Sequence, residues 1–261
     1  MLLEGRNAIV YGASGAVGSA VAKAYAREGA RVFLAARNRD KLEVLAAEIV
    51  GAGGRAEAEA VDATDQEAVD AHLAAIVAGA GPIKIMFNAV GVDDTQGQKL
   101  IDTPREKFLA PIVTGMKTWF STGTANARHM AANGGGVIVG ISANAAREAY
   151  DIMGGFGVSQ AAIEHFIRHL AVENGPAGVR CVCVRSPGSP DAPGVREAFI
   201  LHAREEGISL EEMERRAGER TPLRRLTPLA QIADVAVLLS SDLAASMTAT
   251  VANATGGAQV D

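Results

Sequence analysis

Three glycines near the start of the chain are spaced in a way that could bind phosphate groups. Gly12, Gly15 and Gly18 follow an apolar run and precede an Ala/Val-rich amphipathic run that continues to Glu28. The first glycine permits a tight turn, the loop brings backbone near a pyrophosphate, and the last lets a helix pack closely on a strand. The start of that helix adds free N–H groups and a partial positive charge. The pattern predicts a dinucleotide site, with a plain tight turn as the alternative.

The expected contacts to the pyrophosphate come from this turn. We assign them to Gly12, Ser14, Gly15, Ala16 and Val17. A second apolar run, 32–36, follows the helix, so the whole stretch predicts one right-handed strand–helix–strand unit.

The end of the second predicted strand indicates which dinucleotide is bound. An acidic side chain there would accept hydrogen bonds from the adenosine ribose and favour NAD. Ala36 cannot accept them, whereas Arg37 offers a planar, charged fork to a 2′-phosphate, and Arg39 could serve as a second cation. We therefore expect NADP(H) to be favoured over NAD(H); the alternative is that Arg37 is simply solvated.

Two further strand ends carry residues suited to the adenosine half of such a ligand. Asp62 ends the third predicted strand and could accept a hydrogen bond from the adenine amino group. Asn88 and Ala89 end the fourth, beside the expected path of the adenosine. These residues complete the adenosine side of the predicted site.

Strands and helices alternate along the chain, and this alternation must position the residues above. We predict further helices at 39–50, 66–80 (capped by Asp65), 104–130, 157–174 and 228–240, and further strands at 55–61, 83–87, 136–141, 179–184 and 250–254. Alternation of this kind indicates an α/β fold, a Rossmann-type doubly wound parallel sheet in a single domain spanning residues 1–261.

One charged, mostly helical segment stands apart from the alternation. Residues 191–221, interrupted by Gly207 and Gly218, follow a late strand. An insertion at the carboxyl end of such a strand lies over the ligand crevice. We expect a mobile substrate lid, with a solvated surface hairpin as the alternative, and call residues 191–221 the lid segment.

Composition excludes several function classes. The net charge is −5 and no Lys/Arg cluster occurs, so neither nucleic acid nor an anionic membrane is an expected partner. Cys181 and Cys183, two apart on a predicted strand, are too close for an unstrained disulfide and are expected to be buried thiols. No apolar run approaches the length of a membrane span, and Glu4 and Arg6 interrupt any signal-like start. We expect a cytoplasmic protein.

The whole chain resembles the short-chain dehydrogenase/reductase family. The resemblance rests on the glycine turn, Asp62, the run Asn88-Ala89-Val90-Gly91, Ser142, the Ser159-bearing helix, Pro187-Gly188 and the ending SSDLAASMTATVANATGG. It implies a seven-stranded sheet, nicotinamide dinucleotide binding in which Pro187 and Gly188 take part, and a homodimer or homotetramer. One departure is that the family's main branch spaces its glycines Gly-x3-Gly-x-Gly, whereas here Ala16 occupies the middle position.

The resemblance also implies a catalytic set that this sequence lacks. The family uses a Tyr-x3-Lys pair, a Ser thirteen residues before the Tyr, and an Asn in the fourth helix. The corresponding positions hold Phe156, Gln160, Ala143 and Ile112. Phe156 has no ionisable proton, while Gln160 can still hydrogen-bond a ribose hydroxyl without supplying charge. The cofactor contact is thus expected to persist while the usual acid–base step is not.

Few residues could replace the missing acid. Tyr150 lies six residues before Phe156 and is the candidate donor, with a rim aromatic that packs on the substrate as the alternative; Ser142 could still bind the substrate oxygen. His165 and His169 have a spacing that can bind metal, but no third ligand is evident, so we expect no metal site.

Two functions of different classes remain open. The first is an atypical NADP(H)-dependent oxidoreductase whose proton comes from Tyr150, water or the substrate, which itself stays unidentified. The second is a catalytically silent nucleotide-binding protein, such as a sensor or an inactive partner subunit. We favour the enzyme, because hydride transfer needs mainly an oriented cofactor.

Overall fold

Seven parallel strands form one sheet that carries helices on both faces. The computed structural model describes residues 1–260, and within them the strand order is β3-β2-β1-β4-β5-β6-β7. The strands are β1 Asn7–Tyr11, β2 Arg31–Ala36, β3 Arg55–Ala60, β4 Ile83–Asn88, β5 Gly136–Ala143, β6 Val179–Ser186 and β7 Thr250–Asn253. The helices are α1 Ala16–Arg27, α2 Arg39–Gly51, α3 Gln66–Ala80, α4 Arg105–Ala132, α5 Phe156–Asn174, α6 Pro193–Glu206, α7 Leu210–Glu219 and α8 Leu229–Ser240. The predicted α/β class and doubly wound parallel sheet are confirmed.

Local sequence signals place the elements close to where we predicted them. Asp65 caps α3 by accepting hydrogen bonds from the backbone N–H groups of Glu67 and Ala68. The strands β5 and β6 each extend two residues beyond the predicted ends. Gly207 ends α6 in the left-handed conformation, and Gly218 is the penultimate residue of α7, which ends at Glu219.

The core lies on both faces of the sheet. On one face, apolar strand residues pack against α1, α2 and α8; on the other they pack against α3, α4 and α5. Cys181 and Cys183 are free and buried, as predicted, and burial raises the pKa of each thiol to about 12. The strand β3 forms one edge of the sheet, where Arg55, Glu57 and Glu59 are exposed.

The glycine turn joins β1 to α1 at very close range. Gly12 has φ +75°, and a Cβ on it would lie 2.5 Å from the carbonyl carbon and oxygen of Ala89. A Cβ on Gly18 would overlap the carbonyl group of Gly12. Gly15 differs, since its φ is −85° and a Cβ on it would meet only the Gly12 oxygen, at 3.4 Å. Close packing therefore requires glycine at 12 and 18 but not at 15.

We expect Gly12→Ala to destabilise the fold by about 2–4 kcal/mol, because the left-handed backbone costs about 1–2 kcal/mol and overpacking about as much again. Gly15→Ser is the matched control and should change stability by less than about 0.5 kcal/mol, since Gly15 is the N-cap of α1 and serine suits that position. Urea denaturation midpoints measure both. Equal midpoints for the two variants would contradict this account of the turn.

Candidate active site

The carboxyl ends of the strands bring most of the predicted site residues to one edge of the sheet. In a doubly wound sheet this edge is where ligands bind. The predicted residues that lie at or just after these strand ends are Gly12, Ser14, Gly15, Ala16, Val17, Arg37, Asp62, Asn88, Ala89, Ser142, Ala143, Pro187 and Gly188. Ile112 lies on α4, and Phe156 and Gln160 lie in the first two turns of α5.

Arg37 is placed as the sequence predicted, directly after β2 and exposed. It makes no hydrogen bond or ion pair within residues 1–260, and its positive charge helps to lower the pKa of Asp62. Arg39 differs, because its Nε donates to Glu43 Oε1 at 2.8 Å on the surface of α2. Arg37 is therefore the better placed of the two for an anionic group.

Asp62 is held as an ionised acceptor beside Arg37. Its Oδ1 accepts hydrogen bonds from the backbone N–H and the hydroxyl of Thr64, at 2.9 and 2.8 Å. These two bonds are the main reason that the pKa of Asp62 lies below its usual value. Oδ2 is not used by either bond and stays available as an acceptor.

Asn88 is buried, and both polar atoms of its side chain form hydrogen bonds within the protein. Its Nδ2 donates to Thr122 Oγ1 at 2.9 Å, and its Oδ1 accepts from the Val90 N–H at 2.9 Å. Ala89 donates its N–H to the Tyr11 carbonyl at 2.9 Å. Any contact of these residues with an adenosine would therefore be made by backbone or Cβ atoms.

Gln160 offers a free amide at the position where the family resemblance implies a lysine. Only 7% of the residue is exposed, and its side chain makes no hydrogen bond within residues 1–260. Its amide atoms still contact solvent, because neither is a fully buried atom without a hydrogen-bond partner in the described chain. Phe156, one turn earlier, begins α5 and is half-buried. An amide without a hydrogen-bond partner in the described residues and an apolar ring therefore lie one turn apart at the start of α5.

Ser142 donates its hydroxyl proton to a buried ion pair rather than to the open crevice. Its Oγ lies 2.7 Å from Glu164 Oε1. Arg185 donates to both oxygens of the same carboxylate, from Nε at 2.8 Å and from Nη2 at 2.7 Å. The two charged side chains are 2% and 4% exposed. Ser142 therefore links β5, α5 and β6 below the site, and its role toward a substrate stays a prediction.

Tyr150 is tied to a carboxylate that also contacts the lid segment. Its hydroxyl donates to Glu148 Oε2 at 2.6 Å, while Glu148 Oε1 accepts from Arg220 Nη2 at 2.7 Å. Burial, followed by the hydrogen bond to Glu148, raises the pKa of Tyr150 to about 12. A phenol held in this way retains its proton at neutral pH, so this geometry gives Tyr150 little tendency to act as an acid.

A second polar contact between the lid segment and the crevice was missed from sequence. His202 on α6 lies with Nε2 3.1 Å from Gln96 Oε1, and Gln96 Nε2 donates to Asp94 Oδ2 at 2.7 Å. Asp94 and Gln96 belong to the irregular loop after β4. His202 is the one histidine of the lid segment, and that is the signal that could have drawn attention to it.

Comparison with known proteins decides the family. A family profile described as "Enoyl-(Acyl carrier protein) reductase" matches residues 12–259. L-rhamnose 1-dehydrogenase (NAD(P)(+)) of Azotobacter vinelandii is 31% identical, over 95% of this chain and 94% of its own. The chain belongs to the short-chain dehydrogenase/reductase family.

Other relatives agree with this assignment. An uncharacterised oxidoreductase of Bacillus subtilis is 30% identical to the present short-chain dehydrogenase/reductase, over 98% of this chain and 91% of its own. The structure of NAD+-bound xylitol dehydrogenase superposes with a TM-score of 0.92, covering 98% of this chain and all of that chain at 24% identity. Gluconate 5-dehydrogenase from Burkholderia cenocepacia, solved with NADP and tartrate, superposes at 0.87, covering 98% and 96% at 21% identity.

The short-chain dehydrogenase/reductase fold implies use of a nicotinamide dinucleotide. Structures similar to this chain include complexes with NAD+ and with NADPH. No helix among residues 1–260 is both long and apolar enough to cross a bilayer.

The buried pair below the site should be essential for stability. We expect Glu164→Gln to destabilise this short-chain dehydrogenase/reductase by about 3–5 kcal/mol, because it removes the charge that compensates buried Arg185. Ser142→Ala is the matched control; it removes one hydrogen bond to the same carboxylate and should cost about 1–2 kcal/mol. Thermal and urea unfolding measure both, and an equal loss in the two variants would contradict the expectation.

Proposed function

We propose that this protein binds NADP(H) at the carboxyl edge of the sheet and acts as an atypical oxidoreductase with a non-standard proton donor. The observation that carries the proposal is the pairing of an intact phosphate turn with an unpaired Arg37 at the end of β2. The relatives named as dehydrogenases support the reaction class. Their printed substrates are properties of those proteins.

The residues present fit such a cofactor. The turn around Gly12 packs so closely on Ala89 that no side chain could occupy it, which leaves backbone to meet the pyrophosphate. Arg37 would bind the 2′-phosphate, Asp62 Oδ2 would accept from the adenine, and the Gln160 amide would hydrogen-bond the nicotinamide ribose. Pro187 and Gly188, after β6, would border the nicotinamide. When bound, the cofactor supplies or accepts a hydride.

The proton is the unusual part of the chemistry. Phe156 cannot donate one, and Ala143 cannot bind the substrate oxygen as a serine would. Tyr150, solvent and an acidic proton on the substrate are the donors that the sequence left open. A substrate that does not depend on a strong general acid, such as an activated ketone, suits this site best.

The catalytically silent alternative has one observation in its favour. Tyr150 is bonded to Glu148, and its pKa is raised to about 12, so it is a poor acid. A nucleotide-binding sensor or inactive partner subunit would need the cofactor contacts but no donor. The two readings differ in whether bound NADPH is consumed.

Two further properties belong to the proposal. We assign residues 191–221 as a substrate lid, because α6 contacts one crevice loop through His202 and Arg220, directly after α7, contacts another. We also propose a homodimer or homotetramer, because α4 and α5 expose apolar side chains that the sheet does not cover. These are Leu109, Val113, Phe120, Val158 and Val172.

Arg37→Ala should weaken NADPH binding about 10–100-fold and leave NADH binding within about threefold, because a charge-assisted hydrogen bond to a phosphate contributes about 1.5–3 kcal/mol. Arg39→Ala is the control and should have the smaller effect, since Arg39 is paired with Glu43. Calorimetry measures both affinities. Unchanged NADPH affinity in Arg37→Ala, or equal affinities of the wild type for NADPH and NADH, would remove the basis for the preference.

Restoring the family's catalytic set should raise activity. We expect the triple variant Phe156→Tyr, Gln160→Lys, Ala143→Ser to reduce ethyl pyruvate, a small activated ketone, about 10²–10⁴-fold faster than the native chain, because a general acid contributes that factor. NADPH consumption at 340 nm measures the rate. A triple variant that binds NADPH normally yet stays inert on a broad ketone panel would contradict the missing-acid account.

A further inference from the structure

The loop that follows β5 borders the crevice, and we call residues 144–150 the crevice loop. It begins directly after Ala143, at a carboxyl strand end, where doubly wound sheets bind ligands. It also packs on the first turn of α5, because a Cβ on Gly157 would lie 2.8 Å from the Ala145 carbonyl oxygen. Any group that holds this loop therefore positions the chain between Ala143 and the start of α5.

A glutamine 115 residues away along the chain holds this loop. Gln259 Nε2 donates to the Asn144 carbonyl oxygen at 2.6 Å, and both residues are buried. The same oxygen accepts the backbone N–H groups of Arg147 and Glu148, at 2.9 and 3.0 Å. Because a carbonyl oxygen can only accept, the amide nitrogen of Gln259 must face it. The Asn144 carbonyl thus joins three donors, of which Gln259 is the one outside the loop.

Gln259 is itself held against the sheet by its backbone. It belongs to the segment 254–259, which follows β7. Asn253, the last residue of β7, donates from Nδ2 to the Gln259 carbonyl at 2.8 Å. The Gln259 N–H donates to Thr255 Oγ1 at 3.3 Å, and Thr255 is fully buried. The Gln259 side chain therefore extends to the crevice loop from a fixed backbone.

The lid segment is held at the same junction. Leu223, two residues beyond the lid segment, donates its N–H to the Gly256 carbonyl at 3.2 Å. Within the lid segment, Arg220 donates to Glu148 of the crevice loop at 2.7 Å. The segment 254–259 and the crevice loop therefore hold one end of the lid segment between them.

Hydrogen bonds within the crevice loop connect these two contacts. The Asn144 side chain hydrogen-bonds the Tyr150 hydroxyl, which donates its own proton to Glu148. The bonds therefore form one path, which runs through Gln259, Asn144, Tyr150, Glu148 and Arg220.

Unpaired amide oxygens indicate that packing alone does not account for Gln259. Its Oε1 and the Oδ1 of Asn144 are fully buried and have no hydrogen-bond partner among the described residues. Burying a polar atom without a partner costs free energy, and an apolar side chain of similar size would fill the space without that cost. Sequences tolerate such a conflict mainly where the residue serves function. The donor group of Gln259 is therefore the property that matters.

We propose that Gln259 is a positioning residue of the candidate active site, whose amide N–H fixes the crevice loop and, through it, the substrate side of the crevice. None of the residues on its hydrogen-bonded path lies on the glycine turn or at the ends of β2 and β3, so nucleotide binding does not depend on it. The inference rests on the proposed function and names what positions the substrate side of that site.

Gln259→Glu tests the donor, because a carboxylate has the same shape but can only accept, whereas a protonated carboxyl can donate again. With ethyl pyruvate and a panel of 1,2-diketones, we expect KM to be about 10–100-fold above the wild-type value at about pH 8. The ratio should return toward one at about pH 5.5, because burial raises the pKa of the new carboxyl into this range. Both kcat and the NADPH Kd should stay within about threefold of the wild type.

Gln231→Glu is the matched control for this substitution. Gln231 is exposed on α8, and its Oε1 accepts from Arg225 Nη1 at 2.9 Å, a role that glutamate retains. This variant should keep the wild-type KM at every pH. Recovery of Gln259→Glu at low pH also shows that the variant is folded, since a misfolded chain would not regain its KM on acidification.

Hydrogen–deuterium exchange of the free protein measures the same hold without any turnover. In Gln259→Glu at about pH 8, and in Gln259→Ala, the crevice loop should exchange about tenfold faster than in the wild type, because the loop opens locally more often. Exchange in α1 should be unchanged.

Three outcomes would contradict the proposal. Unchanged exchange in the crevice loop, or an unchanged KM in both Gln259 variants, would overturn the inference while leaving the proposed function intact. An equal loss of substrate and NADPH affinity would also overturn it, because Gln259 would then act on the whole fold. A wild type that binds NADPH but reduces no ketone would overturn the proposed function and the inference with it.

Discussion

The ion pair between Glu164 and Arg185 is the constraint on which the site most depends. Both side chains are almost completely buried, and charges removed from water are costly unless they are paired and hydrogen-bonded. Arg185 meets the carboxylate with two nitrogens, and Ser142 adds a third donor. The cost of burial is offset only when β5, α5 and β6 hold one relative position. That position also sets Ala143, Gln160 and the Pro187-Gly188 turn, because each lies no more than one helical turn along the chain from Ser142, Glu164 or Arg185.

Much of the fold could be predicted because its signals are local. The Asp65 cap, the glycine turn and the short apolar runs each lie within a few residues, and they gave the element order and the strand ends to within two residues. The site residues after β1, β2 and β3 followed from the same reasoning, because parallel strands align their carboxyl ends. Gly218 lies one residue before the end of α7, so the glycine signal placed this helix end to within one residue.

The side-chain network of the site could not be predicted from the sequence. Ser142 was considered for its position, but nothing in its neighbourhood shows that its partner is Glu164, 22 residues later. Gln96 and His202 are separated by 106 residues. Periodicity tells which face of an element is buried, yet it does not tell which polar group on another element will meet that face. Such pairs require the tertiary structure.

The exposed edge of the sheet affects whether copies of the protein can associate strand to strand at high protein concentration. An edge strand presents free N–H and C=O groups that another chain could extend into a continuous intermolecular sheet. Glu57 and Glu59 are exposed on β3, two residues apart, so a second β3 strand added parallel and in register would bring like carboxylates together. Arg31 pairs with Glu57 from the neighbouring strand, which leaves Glu59 as the more strongly repelling of the two. In parallel, in-register alignment this repulsion therefore opposes the addition of a second β3 strand.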